Sequence, residues 1–272
     1  MKRGLIFLIL LAILGTESRA ENNETGLRTL LTGDDSRGWQ AVGRLNFGTV
    51  AFCTGALIAP DLVLTAAHCM YDPDSGERLP DAEIEFLADW RGGRAAAYRS
   101  VRRSIVHPAF VYGSDNFATR VAHDVAILEL DQPIRNSTIT PFTTNARPRQ
   151  GDEVGVVSYA RDRADSPSLQ EICHVLEEGG GSVVLSCDVD FGSSGAPVFV
   201  LTNGVPQIVS VVSAKAELRG QPVALGMSLA APLADLMNIL DSGDGVFGET
   251  KPVVRRLSLD ASREIGAKFV RP

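Results

Sequence analysis

The sequence predicts an all-β protein of the sandwich or barrel kind. Three observations carry this. The body of the chain consists of short apolar runs rich in Val, Ile and Leu. Gly, Pro, Asn and Asp separate those runs at close intervals. Helical periodicity is scarce. Strands of half-buried or fully buried sheets have this signature, because successive side chains alternate between faces and turns need residues with special backbone freedom.

The elements follow in order. Val50 to Ile58 reads as a strand, Ala59-Pro60-Asp61 as a turn, and Leu62 to Thr65 as its return. Further strands are expected at Glu83 to Leu87, Val125 to Leu130, Val154 to Tyr159, Ser182 to Leu185, Val198 to Leu201, Gln207 to Ser213 and Val223 to Met227. One helix stands out at Ala231 to Leu240, with Leu233, Leu236, Met237 and Leu240 on one face and Pro232 in its first turn. A seam is expected at Pro133 to Gly151, where Pro, Asn and Thr cluster. Residues 241–272 read as a polar C-terminal extension.

Of 272 residues, 44% are hydrophobic and 22% charged, so there is material for a large core and disorder is excluded as the main state. The net charge of -7 argues against a binder of nucleic-acid backbones. The first twenty residues are a separate matter. Lys2 and Arg3 precede an apolar run from Leu5 to Leu14, and Ser18 and Ala20 stand at the -3 and -1 positions of a cleavage site. This is the pattern of a signal peptide, with a run too short to span a membrane. Its removal takes out three basic and one acidic residue and moves the net charge from -7 to -9. A secreted or periplasmic protein with no stable membrane anchor is expected.

Export bears on Cys53, Cys69, Cys173 and Cys187. An even count in an exported chain suggests disulfides. Three pairings are allowed; neighbour pairing, Cys53–Cys69 and Cys173–Cys187, closes two short loops and is the expected one. Zinc is the competing use, but there is no Cys-x-x-Cys pair and the four His are scattered. No metal or organic cofactor is expected.

Three segments carry chemistry. In Leu64-Thr65-Ala66-Ala67-His68-Cys69, a His follows a strand across small residues. In His123-Asp124-Val125-Ala126-Ile127, an Asp stands at the mouth of an apolar strand. In Asp190-Phe191-Gly192-Ser193-Ser194-Gly195-Ala196-Pro197, a Ser lies among small residues that let a substrate approach the backbone. A serine hydroxyl needs a base to become a nucleophile, a His can be that base near neutral pH, and a carboxylate on the far ring nitrogen fixes the tautomer. The amides of Gly192 and Ser194 could face a developing oxyanion. Each segment alone is weak. The order His68, Asp124, Ser194, each beside a strand, is one of the known convergent solutions. His107, followed by Pro108, and His123 are alternative bases without the setting of His68, and Ser193 is the alternative nucleophile.

These three segments resemble the active-site blocks of trypsin-like, chymotrypsin-fold serine peptidases, in the style of the secreted bacterial branch that includes glutamyl endopeptidases. The resemblance runs from about Arg37 to Leu240. It implies two six-stranded antiparallel β-barrels with a C-terminal helix and the site in the cleft between them. The first barrel would cover about 37–140, with His68 and Asp124, and the second about 150–240, with Ser194. The Cys53–Cys69 pairing matches the disulfide that pins the His loop in this family. The family pattern places the nucleophile immediately before the Gly, hence at Ser194. Asp188, six residues earlier, would line the floor of the specificity pocket and favour Arg or Lys. Ser213, within Val212-Ser213-Ala214, falls on the strand that pairs with substrate backbone. Two departures matter. Members activated by N-terminal cleavage carry Asp where this chain has Ser193, and the usual Ile-Val-Gly-Gly start is absent, so ion-pair activation is not expected. Residues 21–36 read as a propeptide or a flexible arm. The implied function is an exported serine endopeptidase acting on polypeptides. The alternatives are an inactive peptide-binding member of the same fold and an esterase; the serine segment lacks the strand-turn-helix setting of α/β-hydrolases.

Overall fold

The computed structural model describes residues 26–48, 51–144 and 147–242. The expected signal peptide and most of the C-terminal extension lie outside the described residues. No helix among those described is long and apolar enough to cross a membrane.

Six antiparallel strands close the first barrel: β2 (Val42–Phe47), β3 (Ala51–Ala59), β4 (Leu62–Thr65), β5 (Ile84–Ala88), β6 (Ala97–Val106) and β7 (Ala126–Leu130). Their order around the barrel is β2-β3-β4-β7-β6-β5. The second half holds β8 (Glu153–Ala160), β9 (Arg163–Gly179), β10 (Ser182–Leu185), β11 (Pro197–Thr202), β12 (Val205–Leu218) and β13 (Gln221–Met227). Its pairings run β8-β9-β10-β13-β12-β11 and back to β8, so they too form a circuit of six. A short β1 (Leu27–Thr29) adds a seventh strand against β9, and Leu30 beyond it is fully buried. Closing each sheet on itself removes most of the exposed edges that invite aggregation.

The cores follow from alternation. In β2, Leu45 and Phe47 point inward; in the arginine-rich β6 the inward residues are Ala97, Val101 and Ile105. Phe86, Leu57, Leu64 and Ile127 fill the first barrel; Val156, Val183, Val198 and Val209 fill the second. Trp39, Phe142 and Phe199 join the two halves, with ring centroids 4.7–6.2 Å apart. The Tyr159 hydroxyl, from β8, donates to the Trp90 carbonyl at 3.0 Å, and burial raises its pKa.

The seam at 133–151 falls between β7 and β8, where the described residues form no strand or helix of their own. The C-terminal helix α2 (Ala230–Ser242) buries Leu233 and Leu236 and packs on β6. Each buried Leu contributes about 1.5–3 kcal/mol. The expected disulfides are present, Cys53 to Cys69 and Cys173 to Cys187.

Candidate active site

His68 sits in a one-turn 3-10 helix (Ala67–Met70) directly after β4. Ala66 and Ala67 are completely buried, so the turn lies flush against the barrel where larger side chains would not fit. Cys69 ties the turn to β3 through Cys53. Asp124 follows the six-residue helix α1 (Phe117–Ala122), which Asn116 caps by accepting the Thr119 N–H at 3.1 Å. The Asp124 amide donates to the Val121 carbonyl, which fixes the approach of the carboxylate.

Asp124 is 2% exposed and accepts three hydrogen bonds. Oδ1 takes the His68 backbone N–H at 2.8 Å. Oδ2 takes His68 Nδ1 at 2.7 Å and the Ser213 hydroxyl at 2.5 Å. The register of β12 against β13 shifts between Val212 and Ala214, so Ser213 at this bulge is free to turn its side chain inward. Burial disfavours the His68 imidazolium, but the charge and hydrogen bond of Asp124 outweigh it, and the His68 pKa stands above its ordinary value. With Nδ1 donating to Asp124, Nε2 is the nitrogen left to accept a proton.

Ser194 lies in the turn between Asp190 and Pro197. It lines a cleft of about 770 Å³ together with His68, Gly192, Phe52 and the Cys53–Cys69 bridge. No hydrogen bond joins the Ser194 hydroxyl to His68 in this structure, and catalytic contacts of this type commonly tighten only with substrate bound. The amides of Ser193, Gly195 and Ala196 donate to carbonyls; those of Gly192 and Ser194 have no acceptor among the described residues. Gly192 has φ +98°, and a Cβ there would fall 2.3 Å from the Phe52 ring. Only glycine holds that amide in place.

The neighbouring candidates sort by burial. Ser193 is fully buried, its hydroxyl 3.2 Å from both Ser158 Oγ and the Tyr159 carbonyl, turned away from the cleft. His107 is 5% exposed, and its ring lies tilted against that of His123 with centroids 4.8 Å apart; neither lines the cleft. Donor atoms of Cys53, His68 and Cys69 lie within 4.8 Å of one another, but both sulfurs are spent in a disulfide and offer no thiolate to a metal. Asp188 is half-buried and lines a separate cavity of about 440 Å³ with Gln170, Lys215 and Val223. Its amide donates to Gln170 Oε1 at 2.7 Å, while Lys215 reaches Asp190 at 3.5 Å.

Two contributions were not legible in the sequence: the Ser213 hydroxyl contact to Asp124 and the whole role of Thr54. Ser213 was expected on a substrate-pairing strand; its hydroxyl is committed to Asp124. Thr54, on β3, carries the serine turn: its amide donates to the Ser194 carbonyl at 2.8 Å and its hydroxyl to the Gly192 carbonyl at 2.8 Å. The Tyr159 amide donates back to that hydroxyl at 3.1 Å. The only sequence signal was a polar residue inside an apolar strand.

Comparison with known proteins places the chain in a family. The trypsin-like peptidase domain family matches residues 53–205, more than half of the chain. A glutamyl endopeptidase from Bacillus licheniformis is 26% identical over 175 residues, covering 63% of this chain and 52% of that protein. Coagulation factor IX of Cavia porcellus is 31% identical over 105 residues, covering 38% and 33%. The chain thus spans about half or less of the curated relatives it matches. A solved Glu endopeptidase in complex with MPD superposes with TM-score 0.65 at 20% identity, covering 81% of this chain and 98% of that one.

Proposed function

The chain belongs to the trypsin-like peptidase family, and from that premise we propose that it is an exported serine endopeptidase with Ser194, His68 and Asp124 as its triad. The observation that carries the reading is the 2.7 Å contact between His68 Nδ1 and the buried Asp124 carboxylate, in a His that shares its cleft with Ser194. Ser194 attacks the scissile carbonyl and passes its proton to His68 Nε2. Asp124 holds the tautomer and stabilises the imidazolium. The oxygen takes up negative charge against the Gly192 and Ser194 amides, each such donor being worth about 3–4 kcal/mol. His68 then gives the proton to the leaving amine, and water repeats the cycle on the acyl-enzyme.

Asp188 is our candidate for primary specificity. Its carboxylate has no partner among the described residues, since Lys215 is drawn to Asp190. It is thereby available to an Arg or Lys side chain. The name of the relative, glutamyl endopeptidase, favours the opposite charge. The two disulfides and the signal-like N-terminus support export. On this reading residues 1–20 are removed, 37–240 form the peptidase domain and 241–272 form an extension to it.

A fluorophosphonate probe and a peptide-library cleavage profile, with Ser194→Ala as control, test the proposal. Labelling at Ser194 with cleavage of peptides is expected. An intact, folded chain that neither labels nor cleaves is instead a peptide-binding member of the fold.

A further inference from the structure

His68 is flanked by two cavities. The one holding Ser194 adjoins the Cys53–Cys69 bridge. The other, about 300 Å³, is walled by His68, Phe110, Tyr112, Phe117, Arg120 and Ala214. The second therefore lies toward β12, where an extended substrate would pair its backbone.

Arg120 is the notable member of this second cavity. It projects from α1, one turn before Asp124, and is half-buried. Its Nη1 donates to the Ser114 carbonyl at 3.1 Å, and its guanidinium lies 5.2 Å from the centre of the Phe117 ring. It forms no ion pair among the described residues, and Asp124, which shares the cavity, is saturated by His68 and Ser213. Five N–H donors on a planar fork are thus held in an aromatic-walled recess with one of them used. The positive charge reaches the site, since it works against protonation of His68.

Resting on the peptidase reading above, we infer that Arg120 selects an acidic side chain at the substrate residue immediately N-terminal to the one whose carbonyl Ser194 attacks. A chain extended along Ser213 to Lys215 alternates its side chains between faces. The residue supplying the carbonyl turns toward the Asp188 side, and the one before it turns toward His68. Ala214 fills little of that space. A carboxylate entering there meets a guanidinium able to take it by two parallel hydrogen bonds, beside the Phe117 ring that holds the guanidinium in place. A Lys or Arg entering there meets a like charge.

The test uses the whole protein and fluorogenic peptides that carry the best residue at the cleaved position and Glu, Asp, Ala or Lys before it. Each enzyme is scored by its kcat/KM ratios to the Ala peptide, and Ser194 labelling is followed in parallel. The expected result is about tenfold preference for Glu or Asp over Ala, expressed in KM, and discrimination against Lys. Arg120→Gln should flatten the series, Arg120→Lys should keep part of it, and Arg120→Glu should invert it in favour of Lys. A merely structural Arg120 would not invert a preference. A wild-type enzyme that labels and cleaves with a flat series overturns the inference and leaves the peptidase reading standing. So does an acidic preference that persists in Arg120→Gln. A wild-type chain that neither labels nor cleaves overturns both.

Discussion

Replacing Asp124 by Asn exchanges one carboxylate oxygen for an NH₂ group and should all but abolish turnover. The carboxylate accepts at both oxygens: one from the His68 backbone, the other from the His68 ring and the Ser213 hydroxyl. An amide keeps its carbonyl oxygen toward the His68 N–H and places an NH₂ group where Oδ2 stood. That group cannot accept. It must donate to Nδ1, which moves the ring proton to Nε2, the nitrogen needed to receive the Ser194 proton. The Ser213 hydroxyl can rotate to accept, so the fold should survive at a cost of about 2 kcal/mol. In triads of this geometry the wrong tautomer costs about ten-thousand-fold in turnover, or about 5.5 kcal/mol of transition-state stabilisation. The assay is kcat/KM on the best library peptide, with circular dichroism and thermal melting to certify the fold and Ser194→Ala to set the floor. A folded Asp124→Asn enzyme within tenfold of wild type would refute the role given to the carboxylate.

Other expectations follow from the same contacts. Because His68 must be neutral to act and its pKa is raised, activity should climb with pH through a value above the ordinary histidine range near 6.5. The same shift stabilises the fold at acidic pH, a contribution lost as pH rises through the folded-state value; a rate profile and a melting series read the two separately. His107 has the opposite sign: burial lowers its pKa, against the pull of Asp235, so it withdraws stability as pH falls below about 6.5. In His107→Asn the loss of melting temperature between pH 7 and pH 5 should be smaller. Gly195→Ala should cost about 3 kcal/mol or more in urea unfolding, since φ is +80° and the new Cβ would lie 2.3 Å from the Thr54 carbonyl oxygen. Replacing both Cys173 and Cys187 by Ser should cost about 3 kcal/mol in the same assay, the loop-closure value for a separation of 14 residues, with peptide cleavage at 25 °C retained.

Much of this arrangement was legible in the chain. Short apolar runs between turn residues marked β3, β4, β5, β7, β8 and β10 to β13, and the apolar stripe of α2 was readable because Leu233 and Leu236 recur at helical spacing on a buried face. Other elements were hidden by polarity. In β6, Arg99, Arg102 and Arg103 alternate with few inward residues, so the strand announces itself weakly although Val101 and Ile105 anchor it. In β9, Pro167 and a run of polar residues obscure a strand of 17 residues that pairs with three neighbours. The six residues of α1 are too few to show a period. At the site, residue types and chain order pointed to His68, Asp124 and Ser194, whereas Thr54 and the inward turn of Ser213 depend on long-range register and a bulge, which local sequence does not encode.

Thr54 has a consequence for how such a molecule can change over time. Its backbone and hydroxyl hold the peptide groups of Gly192 and Ser194, and Thr65 in turn donates to its carbonyl at 2.9 Å. The contact between the halves is therefore also the mould in which the reactive turn is cast. Any drift that lets the halves slide past one another by even an ångström would blur the cast, so the geometry of the join is inherited with the chemistry.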